Sequence, residues 1–138
     1  MSFGYENAFA SNENKYEYQL ITSQVRYDFN AGNKGTLGIN LKAGTFIHGE
    51  NISFVDYKHF NGNRTHVGTS DRYLNVFNLM PYYSNSTNDS YFEAHLEHND
   101  KGYIMNKIPL LNKLNSTLVL GFHALAVPDT KPYTEFTV

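Results

Sequence analysis

The stretch YFEAHLEH, residues 91–98, gathers Glu93, His95, Glu97 and His98 within six positions. Imidazole and carboxylate side chains are zinc ligands, and a zinc ion so held activates water for hydrolysis. A helical site of that kind needs H-E-x-x-H or H-x-x-E-H, and HLEH is one residue too short for either. On a strand, Glu93, His95 and Glu97 point one way, and Phe92, Ala94 and Leu96 the other. His98 then falls on the apolar side, near the strand end. Such a polar face normally satisfies itself by hydrogen bonding. A catalytic zinc site usually draws its ligands from separate elements, and His48, His59, His66 and His123 are scattered without ligand spacing. The expectation is therefore a polar network of Glu93, His95 and Glu97, with no metal, no cofactor and no catalysis; a His/Glu metal hydrolase is the weakest reading. No Ser–His–Asp arrangement, phosphate-cradling glycine loop or dinucleotide fingerprint is present in the sequence.

The elements that must carry this face are strands. The 138 residues make one ordinary domain, with 11 Tyr, 10 Phe, 17 Asn, 4 Pro, no Trp and no Cys. Aromatics favour strands and amides favour turns, so an all-β chain is expected. Eleven Lys plus Arg against thirteen Asp plus Glu leave no basic block for a run of phosphates, which argues against nucleic acid as a partner. The lack of cysteine removes disulfides, thiolate nucleophiles and Cys-based metal sites. Five N-x-S/T triplets, at Asn51, Asn63, Asn85, Asn88 and Asn115, read as a by-product of asparagine-rich loops.

Period two is plainest in TLGINLKAGTFIH, residues 36–48: Leu37, Ile39, Leu41, Ala43, Thr45 and Ile47 alternate with Gly38, Asn40, Lys42, Gly44, Phe46 and His48. It returns in residues 116–127, with Leu118, Leu120 and Phe122 on one face and Gly121 and His123 on the other. The pattern predicts strands at about 16–29, 36–48, 90–98, 116–127 and 133–138, a turn at 30–35 and a long loop over about 49–89. Within that loop, residues 73–80 suit a short strand or hairpin arm. Ile104, Ile108, Leu111 and Leu114, at spacings of three and four, predict a short amphipathic helix in 99–115.

These strands are long. Globular strands cluster near five or six residues, whereas a tilted strand crossing an outer membrane needs roughly 9 to 11. Length and the aromatic excess favour a transmembrane β-barrel, with Leu37, Ile39, Leu41, Ile47, Leu118, Leu120 and Phe122 facing lipid. The alternative is a soluble β-sandwich or small barrel that binds an apolar ligand. No window of about 18 apolar residues predicts a transmembrane helix. MSFGYENAFA does not read as a signal peptide, and the final run KPYTEFTV stops in mid-strand, so the sequence is expected to be cut from a longer protein.

DYKHFNGNRT (56–65), LMPYYSNST (79–87), YFEAHLEHNDKG (91–102) and NKIPLLNKL (106–114) carry a further signal. In this order they resemble the C-terminal barrel of Gram-negative outer-membrane proteins of the carboxypeptidase-like regulatory domain type, which include a domain of unknown function. That barrel is similar in turn to the BamA-like surface-antigen superfamily. The resemblance implies a bacterial outer-membrane location, a structural, transport or protein-insertion role, and lipid as a partner. The remaining partners are further strands of the same barrel or other membrane chains, because bacterial barrels start at about eight strands. It also implies that turn 30–35 and connection 99–115 are periplasmic and loop 49–89 external; counting 73–82 as a membrane strand would reverse the later sides. Finally, it implies that the large loop folds into the lumen, with Arg64 set against Glu93, His95 or Glu97.

Overall fold

The computed structural model describes residues 1–8, 18–62, 74–109, 111–114 and 116–138. Six strands form one antiparallel sheet in chain order: β1 (Ser2–Ala8), β2 (Tyr18–Asn30), β3 (Thr36–Ile47), β4 (Tyr91–Asn99), β5 (Val119–Ala126) and β6 (Tyr133–Thr137). Every strand pairs with its neighbours in sequence, giving an up-and-down meander whose outer members are β1 and β6. The first strand is an addition to the sequence reading, since the Gly and Asn of SFGYENA blur its alternation. Residues 16 and 17 of the strand expected at 16–29 lie outside the described residues.

β2 and β3 run to 13 and 12 residues, joined by a tight turn over Ala31–Gly35. Gly35 has φ 101° and packs its α-carbon against the Asn99 carbonyl, leaving no room for a Cβ. The turn and the end of β4 are thereby locked together. β3 pairs directly with β4 from Thr36↔Asn99 to Gly44↔Tyr91, so residues 48–90 form a single connection. Residues 74–80, which suited a short strand or hairpin arm, form turns and one isolated bridge, Gly62↔Phe77, and no strand is formed through 82 as the alternative count would need; residue 73 lies outside the described residues. Asn and Pro at 75, 78 and 81 break the ladder that a strand would need.

Among the described residues of 99–115 the expected short helix is not formed either. In its place are two single 3-10 turns, Met105–Lys107 and Leu111–Leu114. Asp100 draws the backbone away from a helix. Its carboxylate accepts the N–H groups of Gly102 (2.8 Å), Ile104 (2.9 Å) and, across the connection, Leu118 (2.7 Å). Lys101 and Gly102 are left-handed, with φ 49° and 82°, and Pro109 blocks continuation. Burial pushes the Asp100 carboxyl up, but the backbone donors outweigh it and hold it below the usual range.

Registration sorts the sheet into two unlike faces. One carries the rows Gln24–Lys42–Glu93–Leu125, Arg26–Asn40–His95–His123–Glu135 and Asp28–Gly38–Glu97–Gly121–Thr137. The opposite face carries Val25–Leu41–Ala94–Ala124, Tyr27–Ile39–Leu96–Phe122–Phe136 and Phe29–Leu37–His98–Leu120. Residues of the 49–62 and 74–89 segments lie over the first face. Ile52, Phe60, Phe77 and Met80 pack there against Tyr18, Leu20, Phe46, Tyr91 and Leu125, forming the hydrophobic core at one end of that face. The second face has no cover among the described residues. Phe3 is 74% exposed, Tyr27 60% and Phe136 75%, while Leu37, Ile39 and Leu41 shield one another only in part. No helix among the described residues is long and apolar enough to cross a membrane, which says nothing of strands.

Candidate functional site

The middle of the covered face is polar and dry. Asn40, His95 and His123 have no exposed surface, and Glu93 and Glu135 retain 3% and 4%. They come from four strands, brought together by register: Asn40 on β3 faces His95 on β4, His95 faces His123 on β5, and His123 faces Glu135 on β6. Each sits at an even step from its inward neighbours along its own strand, so alternation aims them to the same side.

Two clamps hold the loop on this face. From β3, Asn40 accepts from Gln24 Nε2 (2.7 Å) and donates through Nδ2 to the Leu74 carbonyl and Asn75 Oδ1, both at 2.6 Å. From β6, the Glu135 carboxylate accepts the backbone N–H groups of Asn78 (2.6 Å) and Leu79 (2.9 Å), and the Tyr133 hydroxyl (2.7 Å). Between the clamps Phe77, fully buried, lies on His95 (4.7 Å between ring centres) and reaches Tyr133 (5.8 Å). Leu74 covers Gly38, where an added Cβ would come within 2.7 Å of Leu74 Cδ1. A side chain on Gly38 would lift the loop off the sheet at that point.

Beneath Phe77 runs a chain of titratable groups. Glu93 Oε1 accepts from Lys42 Nζ at 3.0 Å and from His95 Nε2 at 2.6 Å. On its other side His95 Nδ1 meets His123 Nδ1 at 2.7 Å. A contact between two ring nitrogens needs one donor and one acceptor, so at most one proton lies between the imidazoles. With Nε2–H committed to Glu93, His95 is either neutral, accepting from His123, or an imidazolium, donating to it. His123 Nε2 has no partner among the described residues in either case.

Of the residues singled out in the sequence, Glu93 and His95 are brought together directly, and Glu97 lies one row along, opposite Gly121. Arg64 lies outside the described residues. The sequence reading missed Asn40, Lys42, His123 and Glu135 as members of the site. Asn40, Lys42 and His123 already shared the polar parity of their strands, but the register that aligns them with Glu93 and His95 is a tertiary fact. Both nitrogens of His95 face other side chains, and no group of three or more His, Asp or Glu among the described residues is arranged around a common metal position.

Fold and site together define a class: an all-β chain whose single up-and-down sheet buries its polar face under a long loop and leaves its apolar face open. The chain belongs to the family of unknown function DUF5686, whose C-terminal domain matches residues 1–138. Neither a curated protein nor a solved structure matches it.

Proposed function

We propose that this chain is part of a bacterial outer-membrane β-barrel whose outward face meets lipid and whose lumenal face is closed by the 49–89 loop. One observation carries the reading: the sheet is inverted relative to a water-soluble protein. Glu93, His95, His123 and Glu135 are buried, whereas Phe3, Tyr27, Phe29, Phe92 and Phe136 are exposed. A soluble sheet with one wet face turns its apolar side to the core, and exposed apolar area of this extent marks a contact surface. In a membrane barrel, apolar-out and polar-in is the stable arrangement. Leu37, Ile39, Leu41, Ile47, Leu118, Leu120 and Phe122 form part of the lipid-facing set, and β1 and β6 pair with further strands that close the barrel.

The role proposed is structural, in transport or in protein insertion of the BamA-like type, with no catalysis. The loop acts as an internal plug on the lumenal wall, with Arg64 as a further partner of the acidic row. A soluble sandwich or small barrel with an apolar ligand inside is disfavoured by the same observation, because among the described residues nothing covers the apolar face. The test is depth-dependent quenching. A nitroxide lipid should quench a fluorophore attached at Ile39Cys or Phe122Cys in the reconstituted protein, and aqueous iodide should quench one at Asn33Cys. Iodide reaching Ile39Cys as readily as Asn33Cys would end the membrane reading. For Arg64, additive destabilisation by Arg64→Ala and Glu93→Ala in a double-mutant cycle would remove the proposed pairing.

A further inference from the structure

The two ends of the sheet differ in charge. At the end formed by turn 31–35 and connection 99–118 stand Lys34, Lys101, Lys107 and Lys113, and the one acidic residue there is Asp100. Asp100 is buried, with its oxygens taken by backbone N–H groups. At the opposite end, described segments 48–62, 81–90 and 127–132 hold Glu50, Asp56, Asp89 and Asp129 against Lys58 and Lys131. The lysine end also has a shaped recess. A groove of about 440 Å³ runs between the two turns, lined by Gly32, Asn33, Lys101, Tyr103, Asn106 and Lys107. Lys107 Nζ sits 3.8 Å over the Tyr103 ring, a cation–π contact that holds the ammonium at the groove wall. Hydrogen bonding to Lys107, its charge and that of Lys34 lower the Tyr103 hydroxyl below its usual range. Ile104 and Ile108, both more than 40% exposed, lie in the same connection. The nearby strand acids do not neutralise the groove: Asp28 is 3.7 Å from Arg26, and Glu97 belongs to the covered face.

We propose that this groove binds the phosphodiester headgroup of an anionic phospholipid, with Lys101 and Lys107 on the phosphate, Lys34 in support, and Tyr103, Ile104 and Ile108 at the level where headgroups meet acyl chains. The inference rests on the membrane reading above and assigns the lysine end to the phospholipid leaflet on the periplasmic side. Charge complementarity selects the ligand. Interfacial lysines attract anionic lipid, amphipathic Tyr favours the headgroup level, and apolar side chains beside it enter the acyl region.

The experiment is native mass spectrometry on protein released from mixed phosphatidylcholine and phosphatidylglycerol vesicles. The wild type should retain phosphatidylglycerol over phosphatidylcholine, and each lysine should contribute about fivefold to that preference. The triple variant Lys34→Gln, Lys101→Gln, Lys107→Gln should therefore lose on the order of a hundredfold. Lys58→Gln with Lys131→Gln, at the other end, should leave the preference intact. Equal loss in that control would reduce the effect to net charge and overturn the site. Displacement by inorganic phosphate would make it a free-anion site, and retention of lipid A instead of phosphatidylglycerol would place this end in the outer leaflet; either result overturns the assignment. Insertion into pure phosphatidylcholine without any preference in mixed vesicles would sink this proposal and leave the membrane reading standing. Failure to insert into any vesicle would remove both.

Discussion

Glu135→Gln tests the clamp on the loop most directly. The carboxylate now accepts two backbone N–H groups, Asn78 at 2.6 Å and Leu79 at 2.9 Å, in a position that retains only 4% of its surface. A glutamine keeps one acceptor oxygen and turns an NH2 group toward the other donor. One buried N–H thus loses its partner, at about 1–3 kcal/mol, and the surviving bond is no longer to a charged group. The expected local loss is about 3 kcal/mol, or roughly a hundredfold in the opening equilibrium of residues 77–80. Tyr133 also donates to Glu135, so Tyr133→Phe, which removes a donor and leaves the clamp on the loop, should have a much smaller effect. Hydrogen exchange by mass spectrometry on the reconstituted protein reads this directly. In Glu135→Gln the Asn78 and Leu79 amides should exchange about a hundred times faster, while the strand amides of β3 and β4 keep their protection. Unchanged exchange at these two amides, or a uniform rise across the whole sheet, would refute the clamp.

Three further outcomes follow from the geometry. Leu41→Lys should cost about 2–4 kcal/mol in liposomes, as expected for a cation on the lipid face near mid-strand; a neutral result by urea titration would fit a face that touches water. Gly35→Ala should destabilise by at least about 1–2 kcal/mol, because φ 101° disfavours any side chain; the clash with the Asn99 carbonyl adds to this, and a shifted denaturation midpoint measures it. Asp100→Asn should flatten the acid limb of the stability profile. The folded carboxyl lies below its ordinary value, so its contribution is present above an unfolded pKa of about 3.9 and is lost as pH falls through the folded value. An unaltered acid limb in the variant, from a pH series of unfolding midpoints, would exclude Asp100 as its source.

How much of this was legible beforehand follows from periodicity. Alternation is a local property, so the long strands β2 and β3 and the polar parity of Glu93, His95 and Glu97 could be read from the chain, together with the turn at 30–35. β1 escaped because its Gly4 and Asn7 dilute the alternation. The amphipathic spacing in 99–115 was misleading. A helix was locally consistent there, but the buried carboxylate of Asp100 reaches Leu118, 18 residues away, and fixes the connection as turns. Competition between a side-chain acceptor and helical backbone bonding is settled by which donors the fold brings near.

The sequence by itself determined that the chain is all-β, that its strands are long and two-faced, and which residues occupy each face, because a residue's parity along a strand is fixed by covalent geometry. The tertiary structure alone decided which face is covered. Register placed Asn40, His95, His123 and Glu135 in one row, and the returning loop set Phe77 upon them. The physical reason is that alternation is symmetric between inside and outside. Only the long-range packing of the loop breaks that symmetry, by supplying Asn40 and Glu135 with the backbone partners that a buried polar face requires.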